Sequence, residues 1–216
     1  MKTILTSILA IICGLALAQT PQALKTVPKL PNTAEAVRKG GLDTKAESSQ
    51  LTGSARTVVF RSTGTRVYVP TFVSEIFPDA ENDTARRSFA TYLEREFKEF
   101  EEIARENRAS NNVALALAYS LVSLNRVRTG QNLPSENLPN LFKQCESLLD
   151  KELSSFSDRQ KQALYEFYLC RVFLVELLAD GDSAEKKDLA KDFAETYWVE
   201  ILGEGVRLTR DGLVKD

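Results

Sequence analysis

Three charges set into an apolar stretch are the first residues here whose types and spacing could do chemistry. Glu166, Arg171 and Glu176 interrupt Ala163–Leu178, where Tyr165, Phe167, Tyr168, Leu169, Val172, Phe173, Leu174 and Val175 surround them. A lone buried charge costs several kcal/mol, so each must be paired or must face a wet cavity. A perturbed buried charge in a cleft would mark a functional site, whereas a structural ion pair is the plainer reading. A second set is acidic: Glu94, Glu96, Glu99, Glu101, Glu102 and Glu106 crowd the segment from Asp83 to Arg108. Two such carboxylates could act as general acid and base, or hold a hard cation. The plainer reading is a solvated helix face with Glu94 and Lys98 paired at i,i+4. A third set combines Arg61 and Arg66 with Asn111 and Asn112 ahead of an alanine-rich run. Arginines beside a helix N-terminus suit a small anion or carboxylate, while the asparagines alone would serve as caps.

Composition removes several chemistries. The chain has no histidine, which excludes Ser-His-Asp and Cys-His machinery and the histidine-bearing zinc and di-iron sites of helical bundles. Arg61-Ser62-Thr63-Gly64-Thr65 lacks the lysine and the following helix of a phosphate loop. No cofactor is expected. A net charge of −2 argues against nucleic acid and anionic lipid as partners, which call for a basic excess.

The elements that must position these residues are mostly helices. Phe89, Tyr92, Leu93, Phe97, Phe100 and Ile103 recur three and four apart, predicting a helix from Asp83 or Thr84 to about Arg108. Asn112–Arg128 is apolar or small almost all round and ends at Gly130; it is expected to be the buried central helix. Pro139 opens a helix to about Leu153, Ser157 or Asp158 caps one to about Leu178, and Ser183 caps a last one to about Leu202. Ahead of them, Thr57–Phe60 and Thr65–Val69 are β-branched and aromatic, with Gly64 between. They predict a small N-terminal β hairpin or an extended arm. Thr71–Phe77 reads as a short helix, and Val206–Thr209 as an extended piece that could pair with the early hairpin. The expected fold is mainly α: about five helices around a buried central one.

The N-terminus reads as a signal peptide over residues 1–18. Lys2 precedes an apolar run from Ile4 to Leu17, and Ala16-Leu17-Ala18 offers a cleavage pattern before Gln19. The run is shorter than the roughly 20 residues a membrane span needs. Its removal takes one lysine and no acid, leaving a net charge of −3. Residues 19–55, rich in Pro, Lys, Thr, Ser, Gln and Gly, read as a disordered tether, and residues 56–216 as one helical globular domain. The compartment implied is outside the cytoplasm, either periplasmic or extracellular. There Cys145 and Cys170 could form one disulfide if their Cα atoms fall within about 7 Å, or remain as two buried thiols.

Three segments carry a family likeness: Phe60–Arg66, Asn111-Asn112-Val113-Ala114 opening the alanine-rich helix to Tyr119, and Leu208-Thr209-Arg210-Asp211-Gly212-Leu213. Together they resemble a group of uncharacterised secreted bacterial proteins, over about Thr57 to Leu213. The resemblance implies an all-helical exported protein and no particular activity. It adds Tyr119 to Arg61, Arg66, Asn111 and Asn112 as candidate binding residues. The expectation is a non-enzymatic interaction module for a protein or small ligand of the cell envelope. The alternatives are a carboxylate-based or metal-dependent hydrolase and a self-associating envelope component.

Overall fold

The computed structural model describes residues 56–78 and 83–215; the signal-peptide and tether readings lie outside them. Six helices make up most of the described chain: α1 (Val69–Ile76), α2 (Asp83–Glu106), α3 (Val113–Thr129), α4 (Leu138–Leu153), α5 (Asp158–Ala179) and α6 (Ala184–Leu202). They are followed by a two-stranded antiparallel hairpin, β1 (Val206–Thr209) and β2 (Gly212–Lys215), with Val206 opposite Lys215 and Thr209 opposite Gly212.

The helix ends follow local chemistry. The Asn112 side chain accepts from the Ala114 and Leu115 amides to start α3, and Gly130 ends it in the left-handed region at φ 73°. Ser157 and Gln160 form a capping box at α5, and the Ser183 side chain caps α6. In α2 the stripe Phe89, Tyr92, Leu93, Phe97 and Phe100 is buried as its spacing requires, but Ala104 completes it. Ile103 lies 56% exposed: one residue on, the helix has turned by about 100°.

The centre of the bundle is α5. Between Lys161 and Leu178 only Ala163 and Glu176 are not buried. It packs on α1, α2, α3 and α6. The sequence points to α3 as the central helix, and α3 is an inner one too, packed on α4, α5, α6 and β1; its small residues let these neighbours approach closely. The Ser120 hydroxyl donates to the Tyr168 carbonyl across the α3–α5 contact at 3.1 Å.

Two expectations are corrected. The N-terminal segment is the extended arm rather than the hairpin: a 3-10 turn at Arg56–Val58, one antiparallel bridge from Val59 to Asn112, then irregular chain into α1. The amides of Val67, Tyr68 and Val69, which a ladder would need, point at the Glu166 carboxylate instead. Val206–Thr209 pairs with the residues that follow it, through a turn at Arg210-Asp211, with Gly212 at φ 106°. Gln144 accepts from the Leu213 amide at 2.8 Å, and Trp198 donates to the Val206 carbonyl at 2.9 Å, docking this hairpin on α4 and α6. Second, Cys145 and Cys170 are free and buried, with no disulfide between them. A bridge would need α4 and α5 to align as a helical hairpin, whereas α4 packs mainly on α3, the Arg56–Val58 turn and β2.

Candidate functional site

The polar side chains inside α5 explain how the arm is held. Gln162 and Glu166, one turn apart on α5, are 3% and 0% exposed. Glu166 Oε2 accepts from the amides of Val67 at 2.7 Å, Tyr68 at 2.6 Å and Val69 at 3.4 Å. These amides run from the residue before the N-cap of α1 to its first residue, and the N-cap residue Tyr68 supplies no side-chain bond of its own. Glu166 therefore caps α1 from another helix. Gln162 Nε2 donates to Glu166 Oε1 at 2.8 Å and to the Thr65 carbonyl at 2.7 Å, while its Oε1 accepts from the Thr63 amide at 2.9 Å. Two side chains thus fix the arm from Thr63 to Val69 through its backbone.

The arm so held forms one wall of a cleft of about 780 Å³; α2 and the Ser110-Asn111 turn supply the others. Arg66 crosses it. Its Nε bonds Glu94 Oε2 at 3.2 Å and its Nη1 bonds Glu101 Oε1 at 2.6 Å, with the guanidinium 4.1 Å from the centre of the Phe97 ring. Burial works against the Arg66 charge, but Glu101 and Glu94 outweigh it and hold its pKa above the ordinary arginine value. Arg105 lines the same cleft, with no ion pair among the described residues. Asn111 sits in the left-handed region at φ 54° and its carbonyl accepts from the Phe60 amide at 3.1 Å. Among the described residues, the buried Tyr165 hydroxyl has no hydrogen-bond partner. Burial raises its pKa, Glu101 adds to the rise and Arg66 opposes it.

A second, smaller cleft of about 330 Å³ lies at the far end of α5, lined by Tyr92, Arg95, Glu96, Arg126, Glu176 and Asp180 among others. Glu176 accepts from Ser123 at 2.8 Å, Tyr119 at 3.1 Å and Arg126 at 3.0 Å. Burial pushes its pKa above the ordinary carboxylate value, against the pull of those three partners. Arg171 is 1% exposed, paired with Glu200, and sandwiched between Phe167 at 3.8 Å and Tyr197 at 4.5 Å. Its Nε and Nη2 have no partner among the described residues.

The candidate binding residues separate accordingly. Arg66 and Asn111 meet in the large cleft. Arg61 is exposed and outside the lining, and Asn112 is wholly buried as the cap of α3. Tyr119 belongs to the Glu176 cluster, its ring against Phe100 and Phe173. Glu94 turns to Arg66 rather than to Lys98, so part of the acidic face is cleft wall rather than solvated surface. Among the described residues no group of three His, Cys, Asp or Glu could hold a metal ion, and no helix is long and apolar enough to cross a membrane. Gln162 escaped the sequence reading. Its signal is the pairing with Glu166 at i,i+4 inside an apolar run, two polar residues stacked on one helix face.

No curated protein and no solved structure matches the chain. A family model matches residues 17–200, which takes in the stretch read as a tether and leaves out the Leu208–Leu213 motif. On that match the chain belongs to DUF6683, a family of unknown function.

Proposed function

We propose that this protein is an exported binding module whose large cleft holds a small polar ligand against a preorganised arm. The observation that carries the reading is the double clamp of Gln162 and Glu166 on Thr63–Val69. Buried polar groups are invested in fixing a segment without regular structure, and that segment presents Arg66 to an open cleft. A receptor that fixes its contact loop beforehand avoids the ordering cost that binding would otherwise incur. Export is supported by the apolar leader and its Ala16-Leu17-Ala18 pattern.

A carboxylate-based hydrolase is the second reading, favoured by the meeting of Glu96, Glu176 and Asp180 in the smaller cleft, where Glu176 is raised in pKa. It ranks below binding because both Glu176 oxygens are already engaged by Ser123, Tyr119 and Arg126.

Native mass spectrometry of the protein recovered from its own host tests the first reading. The expected result is a retained small molecule that Arg66→Met loses while its circular dichroism stays helical. A molecule retained equally by Arg66→Met would move the binding site away from the cleft.

A further inference from the structure

Resting on that reading, the charge layout of the cleft narrows the ligand class. Four charged side chains line it, Arg66, Arg105, Glu94 and Glu101, and they sum to zero, which disfavours a polyanion or polycation. The charges are not mixed evenly. Glu94 and Glu101 both pair with Arg66, so that stretch of the cleft carries one net negative charge. Arg105, which has no ion pair among the described residues, lies three turns further along nearly the same face of α2. Eleven residues of helix separate Glu94 from Arg105, about 16 Å at 1.5 Å per residue. No aromatic ring is among the described lining residues, so a base finds no surface on which to stack.

We propose that the cleft binds a short free peptide of about three to five residues, its ammonium at Glu94 and its carboxylate at Arg105. An extended chain of that length spans roughly the required distance at about 3.3–3.6 Å per residue. A guanidinium suits a terminal carboxylate because it offers two parallel N–H donors. The Asn111 carboxamide and the Ser110 hydroxyl line the same cleft and carry N–H and O–H donors of the kind that peptide carbonyls accept.

The test is a titration of the ¹⁵N-labelled protein with four probes: tetra-alanine, its N-acetyl form, its C-terminal amide, and glucose. The expected result is saturable shifts at the Ser62–Arg66, Ser110 and Asn111 amides with tetra-alanine, weakened about tenfold or more by capping either end. Glu94→Gln should erase the penalty of N-acetylation alone, and Arg105→Gln the penalty of amidation alone. Capped forms binding as tightly as the free peptide would overturn the proposal. Glucose shifting those amides while tetra-alanine does not would overturn the peptide and keep the cleft as a binding site. If no probe shifts them, the peptide assignment falls, and the cleft reading falls with it only if Arg66→Met also retains the host molecule.

Discussion

Glu166 and Glu176 lie on the same helix, about 15 Å apart along its axis and on different faces, and they are used in opposite ways. Glu166 is wholly buried, and three of its four bonds come from backbone amides of the arm. Glu176 opens on a cleft, and all three of its bonds come from side chains. Backbone donors cannot turn away when the acceptor is lost, so Glu166 is a fastener. Side-chain donors can rearrange toward water, so Glu176 is a group free to titrate. An ionisable residue in an apolar helix thus takes its role from the kind of donor that meets it, which its neighbours in sequence do not reveal.

The largest expected effect follows from removing the fastener. Glu166→Ala strands the buried Tyr68 amide and leaves the half-buried Val67 amide without its partner, at a cost of about 3 kcal/mol. A urea unfolding midpoint would report it, together with loss of arm contacts in amide spectra; an unchanged midpoint would put Glu166 on a par with Glu176. Gln162→Ala is next. It breaks two bonds to the arm and one to Glu166 and should cost about 1–2 kcal/mol by the same measurement, with disorder confined to Ser62–Arg66.

Glu176→Gln should change the pH dependence of stability more than its size. A carboxyl whose folded pKa lies above its unfolded value binds its proton more tightly in the folded state. Its contribution is therefore most favourable at low pH and is lost as pH rises through the folded value. The native protein should lose stability from this group as pH climbs out of the ordinary carboxylate range. The glutamine variant should lack that part of the slope in urea midpoints taken across the range. Parallel slopes would show that Glu176 does not titrate separately.

The smallest effect concerns Cys170, one turn beyond Glu166. Burial raises the pKa of both this thiol and Cys145, so neither should react. Iodoacetamide followed by peptide mapping should label both only after unfolding in urea. Labelling of Cys170 in the native state would mean that α5 is open beside the fastener.

Much of the helical frame was legible in the sequence, because caps and apolar spacing are local. Ser157, Ser183 and Gly130 mark helix ends where they were expected, while the cap of α3 falls on Asn112, one residue beyond the Ser110 or Asn111 that the sequence suggests. The arm and hairpin were less so. Thr65–Val69 has strand-forming residues, yet its conformation is decided by Gln162 and Glu166, nearly a hundred positions away in the chain. The same holds for the cleft: Arg66 and Asn111 stood out, but Glu94, Glu101 and Arg105 resembled any charged helix face until the arm was laid across them. The pairing partner of Val206–Thr209 was legible in principle from the Asp211-Gly212 turn, a local hairpin signal that competes with the β-branched residues of the earlier segment.

The central claim is that the arm is held before any ligand arrives, and amide hydrogen exchange of the free protein tests it most directly. Thr63, Val67 and Tyr68 belong to no strand and no helix interior. The account predicts that the Val67 and Tyr68 amides exchange nearly as slowly as those in the middle of α5, with Thr63 slowed less but well below loop rates. Exchange of all three at the rates of an open loop would contradict it.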